Sequence, residues 1–271
     1  MRREVNGIGL NVVERGESAA HGGRPALVFL HYFGGSSRAW SGVIDRLEGE
    51  YACVAPDLRG FGDSEAPPTG YTVSDYADDV IALVCLLGIE RYVLVGHSLG
   101  GKIALLVAAR AAPGLASLVL LAPSPPTPEP MMETERARLL TSHASRAASE
   151  ETARQIIALP LTPLLHDQII EDSLRSSLPA WQAWLEGGSR ENISAHMGNI
   201  RTPLLVVSGT SDRVMPAHHL EREIVRRIPG TRMVTVPEAG HLLPLEAPAA
   251  IADLIANASA IASLKNNLFA G

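Results

Sequence analysis

Short apolar runs recur along the chain, separated by polar segments with helical spacing. Residues 26–31, 51–55, 93–95, 117–122, 202–209 and 231–236 carry unbroken or nearly unbroken apolar stretches rich in valine and leucine. Runs of that length without polar alternation predict strands covered on both faces, as in a parallel sheet. Between them, 38–47, 75–87, 102–110 and 248–261 predict helices, with Trp40 on an inner face, Ser74 as an N-cap and Gly88 as a stop. Strand alternating with helix favours right-handed crossovers. At the N-terminus, residues 2–14 read as a hairpin turning at Asn6-Gly7, before a loop rich in glycine and charge. The predicted fold class is α/β, a mostly parallel, doubly wound sheet of about eight strands with helices on both faces.

The pattern changes after residue 122. Pro123, Pro125, Pro126, Pro128 and Pro130 crowd one octapeptide, too many for a helix interior or a central strand. This stretch reads as an extended hinge. From Met131 to about Met197 the periodicity is helical and interrupted, with segments near 135–140, 150–159, 164–174 and 181–185 and nothing resembling a parallel strand. The division predicted is a core of 1–122 and 199–271 and an inserted helical cap of 123–198. Apolar cap residues, including Met131, Met132, Leu161, Leu165, Trp181 and Trp184, must pack the cap or line a pocket beneath it.

Composition narrows the partners. Among 271 residues there are 23 Lys and Arg against 29 Asp and Glu, a net charge of -6, and no long basic run. Nucleic acids and anionic membranes both reward clustered cations, so neither is an expected partner. A bilayer span needs about 20 predominantly apolar residues, and the most apolar stretch, 103–122, is broken by Arg110, Pro113 and Gly114. With no apolar signal segment behind the N-terminal charges, a cytoplasmic protein is expected. Cys53 and Cys85 fall in apolar runs and are expected to be buried free thiols. His143, His166 and His196 lack metal-ligand spacing and read as surface or cap residues.

The chemistry gathers at 93–101, Val-Leu-Val-Gly-His-Ser-Leu-Gly-Gly. This is an apolar strand ending at a serine bracketed by glycines, then a helix. A serine on so sharp a turn takes an unusual backbone conformation, and residues two before and two after it are crowded unless they lack a Cβ. Gly96 and Gly100 meet that need. The helix N-terminus turns free N–H groups and its positive end towards the Ser98 hydroxyl, a place to stabilise an oxyanion.

With this glycine-bracketed serine, and possible partners following in the order Asp then His, the chain resembles the α/β-hydrolase fold family. The resemblance implies Ser98 as nucleophile, Asp212 (in Gly209-Thr210-Ser211-Asp212) as the acid, and His241 (in the Gly240-His241 loop after the last strand) as the base. It further implies an oxyanion hole from the N–H groups of Leu99 and Phe33, the latter following His31-Tyr32, where Tyr32 stands in place of the family's usual glycine. Tyr32, Phe33, Met131 and Trp184 are the expected substrate contacts. His31 reads as a hydrogen-bonded scaffold residue, Asp57 and Arg59 as a turn-stabilising ion pair, and His218 and His219 as helical residues away from the strand ends. The activity implied is hydrolysis of a small carboxylic ester through an acyl-enzyme, with no metal or organic cofactor. A lactonase, thioesterase, carbon–carbon bond hydrolase or perhydrolase would use the same triad, and a ligand-binding receptor could retain it with little turnover.

Overall fold

The computed structural model describes residues 1–16 and 23–267; part of the expected glycine-rich loop, 17–22, and the end of the tail, 268–271, lie outside the described residues. Eight strands form one sheet: β1 (Arg2–Val5), β2 (Ile8–Arg15), β3 (Ala26–Leu30), β4 (Cys53–Pro56), β5 (Tyr92–His97), β6 (Leu115–Leu121), β7 (Leu204–Gly209) and β8 (Arg232–Val236). Their spatial order is β1-β2-β4-β3-β5-β6-β7-β8. Among the described residues only β1–β2 and β2–β4 pair antiparallel. The hairpin turns at Asn6 and Gly7, both with positive φ, as the sequence predicts.

Helices α1 (Ser41–Leu47), α2 (Val73–Leu86) and α3 (Leu99–Ala109) follow β3, β4 and β5 in turn, and α1 is preceded by a 3-10 turn, Ser37–Trp40. After β6 come α4 (Glu133–Thr141), α5 (Arg146–Ile156), α6 (Pro163–Arg175) and α7 (Leu178–Ala183), the last continuing as a π-helical turn to Gly188. Short helices α8 (Ala217–Leu220) and α9 (Leu243–Glu246) precede α10 (Pro248–Asn267). In the flanking layers α1 packs against α10 and α2 against α3. The core strands are apolar throughout because both faces are covered. Leu27, Val28, Phe29 and Leu30 of β3 and Val93, Leu94 and Val95 of β5 are fully buried.

The chain leaves β3 towards β4 on one side, whereas β5 lies on the other. Such a reversal opens a crevice at the carboxyl ends of the two strands, where ligands bind in open α/β sheets. Phe33 follows β3 and Ser98 follows β5, so both stand at this crevice.

Local expectations are corrected at four points. Helix α2 is capped by Thr72 rather than Ser74, in a capping box with Asp75 whose Thr72 hydroxyl accepts the Asp75 N–H. Its buried positions, Val73, Tyr76, Ala77, Val80, Leu83 and Val84, repeat at helical spacing, and Cys85 lies off that stripe, exposed; Cys53 is buried. Asp57 and Arg59 do not pair. Asp57 accepts the Ser37 and Asp63 N–H groups at 2.6 and 2.8 Å, while Arg59 forms a two-pronged bond to Asp79 of α2 at 2.6 Å. The last helix runs beyond residue 261, into what reads in sequence as a tail.

Candidate active site

Ser98 is the residue between β5 and α3, with φ 52° and ψ -114°. The strain is imposed by close packing on both sides of the turn. A Cβ on Gly96 would lie 2.5 Å from the Gly100 carbonyl oxygen, and one on Gly100 would lie 2.5 Å from that of Leu30. These positions therefore exclude every other residue, and the turn is held with the serine side chain free of the sheet.

The structure brings the three residues together. The His241 imidazole lies between the other two, with Nε2 3.0 Å from Ser98 Oγ and Nδ1 2.9 Å from Asp212 Oδ2. A carboxylate only accepts, so Nδ1–H donates to Asp212 and Nε2 is left to accept the Ser98 hydroxyl. Asp212 Oδ1 accepts the Val214 and Met215 N–H groups at 2.8 and 3.0 Å. Burial opposes its ionisation, yet His241 and those two N–H groups outweigh burial and hold the carboxyl below its ordinary value.

His241 is held in place by its loop. His241 N–H donates to the Ile156 carbonyl at 2.8 Å, and its own carbonyl accepts from His97 Nε2 at 2.8 Å. Burial, reinforced by the neighbouring His241, pushes the His97 imidazole down to about 3, so it is neutral near pH 7. Glu246 gathers four more main-chain N–H groups, accepting from Gly240, Ala158 and Leu159 on Oε2 and from Leu242 on Oε1, all at 2.8–2.9 Å. The histidine loop and the segment after α5 are thereby joined through one carboxylate. They approach so closely that a Cβ on Gly240 would lie 2.7 Å from the Ile156 oxygen.

Above the serine is a cavity of about 460 Å³, mostly apolar, with Ser98 and His241 in its wall. All four expected contacts, Tyr32, Phe33, Met131 and Trp184, line it. Phe33 stacks on Trp181 with ring centroids 4.4 Å apart and faces Trp184 at 6.3 Å. Leu161 and Leu165 instead pack into the apolar cluster around Tyr32. A smaller chamber of about 80 Å³ adjoins behind Phe33 and Trp181. Leu99 is the first residue of α3, so its N–H has no acceptor within the helix; Phe33 N–H belongs to the loop facing it across the crevice. His31 is scaffold, accepting the Leu58 N–H on Nε2 at 2.9 Å. His218 and His219 lie on α8. Among the described residues no cluster of His, Cys, Asp and Glu is placed to hold a metal ion, and no helix is long and apolar enough to cross a membrane.

Sequence reasoning missed other wall residues, namely Glu129, Glu135, Gln155, Arg213 and Met215. Glu129 is hidden in the proline-rich stretch, and only the path of the folded chain brings it over Ser98.

Comparison with known proteins places the chain among others of the same fold. The chain is 30% identical over 255 residues to a dihydrolipoyllysine-residue acetyltransferase component of an acetoin cleaving system from Pseudomonas putida, which covers 91% of this chain and 65% of that protein, just under two thirds of its length. It is 28% identical to a 2-(acetamidomethylene)succinate hydrolase from Mesorhizobium japonicum, over 89% of this chain and 87% of that one. Among solved structures, a thermophilic esterase from Thermogutta terrifontis superposes with a TM-score of 0.81 at 25% identity, covering 95% of this chain and 96% of the other. A sequence profile described as the Alpha/beta hydrolase family matches residues 27–254, which carry Ser98, Asp212 and His241 and all of the sheet from β4 to β8, and this chain belongs to that family.

Proposed function

We propose that this chain is a serine hydrolase that cleaves small carboxylic esters through an acyl-enzyme, with the helices between β6 and β7 serving as a cap over the pocket. The observation that carries the reading is the hydrogen-bonded series Ser98–His241–Asp212 opening into an apolar cavity. An alcohol is a weak nucleophile at neutral pH, and His241 Nε2 is in position to take the Ser98 proton as Oγ attacks the ester carbonyl. Asp212 keeps the imidazole proton on Nδ1 and stabilises the cation formed. The tetrahedral oxyanion is held by the Leu99 and Phe33 N–H groups, each worth about 3 to 4 kcal/mol in comparable sites. His241 then protonates the departing alcohol, leaving acyl-Ser98. Water, deprotonated by the same imidazole, releases the acid and restores the hydroxyl.

The names of the hydrolase and esterase to which this chain is similar support the reaction class. Short p-nitrophenyl esters test it. Ser98→Ala lowers kcat by about four to six orders of magnitude without lowering Tm, and a phosphonate adds its mass once, on the peptide containing Ser98. Retained activity in that variant, or labelling of Ser124 or Ser211 instead, refutes the assignment; a burst with no sustained turnover favours the receptor.

A further inference from the structure

The Ser98–His241–Asp212 series has no use for a carboxyl group that lies in the wall of the same cavity. Glu129 lines it together with Ser98 and His241. Its position is built rather than incidental. The Glu129 N–H donates to the Ser189 carbonyl at 2.8 Å, and its Oε1 accepts the hydroxyl of Ser124, a fully buried residue. Ser124 N–H in turn donates to the Ser98 carbonyl at 2.9 Å. The carboxyl is thus tied to the main chain of Ser98 through a single intervening residue, Ser124.

Its charge is left without a direct partner. Glu129 makes no ion pair among the described residues. The two nearby cations are engaged elsewhere: Lys102 Nζ donates to the Glu191 and Thr127 carbonyls at 2.6 and 3.3 Å, and Arg136 to Ser189 Oγ at 2.6 Å and the Leu185 carbonyl. Burial pushes the Glu129 carboxyl up, against the pull of the Ser124 hydroxyl, Lys102 and His241. An ionised carboxylate has room for about four hydrogen bonds, and Ser124 fills one. The same wall includes Met131, Trp184 and Tyr32, which offer apolar and aromatic surface. A purely hydrocarbon substrate would strip water from this carboxyl and return nothing, a costly outcome. A substrate with an O–H or N–H group at that point replaces the lost water.

We propose that Glu129 is the specificity-determining residue of the cavity, and that preferred substrates carry a hydroxyl or amino hydrogen-bond donor on the moiety facing residues 124–129. The proposal rests on the ester-hydrolase reading above. Its test uses two matched pairs of esters, each an alkyl ester and its terminally hydroxylated counterpart, with the hydroxyl on the acyl chain in one pair and on the alcohol in the other.

In at least one pair the wild-type protein prefers the hydroxylated ester by about tenfold or more in kcat/KM, chiefly through KM. Glu129→Leu brings that ratio to within about threefold of one, and Glu129→Gln, which keeps a neutral acceptor, leaves an intermediate ratio. Absence of preference in both pairs, or a preference undiminished in either variant, overturns the proposal. If the leucine variant does not fold, the wild-type ratio and the glutamine variant decide by the same criteria. Failure of the underlying reading has a different signature, no turnover of any ester with Ser98 unlabelled by phosphonate, and overturns both.

Discussion

Replacing Glu246 by glutamine perturbs one atom of the group that holds the histidine loop. The carboxylate accepts four main-chain N–H groups, two flanking His241 and two just beyond α5. An amide keeps one acceptor oxygen and turns an N–H₂ towards at least one of the four donors. With its oxygen in place of Oε2, it saves three of those bonds in weakened form and loses that to Leu242. Hydrogen bonds to a charged group contribute about 1.5 to 3 kcal/mol each, so one lost and three weakened amount to about 3 kcal/mol. In a chain of this length 1 kcal/mol moves Tm by about 2 °C, which predicts a fall of about 6 °C by calorimetry. The kinetic effect is distinct. His241 meets Ser98 Oγ at 3.0 Å only while Gly240 and Leu242 are held, and a loop that spends a tenth of its time in register lowers kcat by about tenfold with KM little changed. Glu246→Ala, which abandons all four donors, exceeds the glutamine variant in both respects. Equal Tm and kcat in wild type and both variants would refute the clamp. A lower Tm with unchanged kcat would show that the carboxylate holds the fold but not the base.

Two further expectations concern acid. His97 is neutral in the folded chain down to about 3, whereas an unfolded histidine protonates near 6.5. The unfolded state therefore binds the extra proton as pH falls through that window, and stability declines with it, by at most about 5 kcal/mol. His97→Gln, still able to donate to the His241 carbonyl, flattens this decline in urea titrations run from pH 7 to 4; parallel curves would contradict it. Asp57 lies below its ordinary value because its bonds to Asp63, Ser37 and Asn11 outweigh the cost of burial. Its contribution is present above about pH 4 and lost as pH falls through the folded-state value. The stability gap between wild type and Asp57→Asn is accordingly larger at pH 7 than at pH 3, and a gap independent of pH would exclude the mechanism.

The parts of this structure that could be read in the sequence are those whose cause is local. An unbroken apolar run such as Leu204–Val207 reports burial on both faces, and Gly96 and Gly100 report a turn that tolerates no Cβ. The serine stood out on its glycine-bracketed turn, whereas the aspartate and histidine were named through the family resemblance. Relations between distant segments left no such trace. Nothing in the spacing of Asp57 and Arg59 says that the arginine reaches twenty residues on to Asp79, since two charges on one turn look like partners whether or not they face each other. Glu246 was visible in the histidine loop but not its task, because main-chain N–H groups are acceptor-seeking at every residue. Glu129 was masked by the prolines around it, which describe a stiff path and not its destination.

The anchors of the helices between β6 and β7 bear on how Ser98 is reached. Asp172 of α6, buried, accepts Ser36 Oγ at 2.8 Å and Arg38 at 2.6 Å. The Ser177 N–H before α7 donates to the Gly60 carbonyl at 2.8 Å, and the segment after α5 is held by Glu246. By contrast, the hydrogen bonds described for α4 run to other parts of the insertion, from Arg136 to Ser189, from Arg138 to Thr152 and from Trp181 to Leu139. The exposed wall residues include Met132 beside α4, Gln155 on α5 and Arg213 next to Asp212. The deep residues Tyr32, Trp184 and Met215 are buried. The cavity therefore runs from an exposed rim to a buried interior beside Ser98. Glu129 is half-buried in the wall between these levels, and on the proposed ester-hydrolase reading a bound substrate that displaces its water must itself meet the carboxyl's hydrogen bonds.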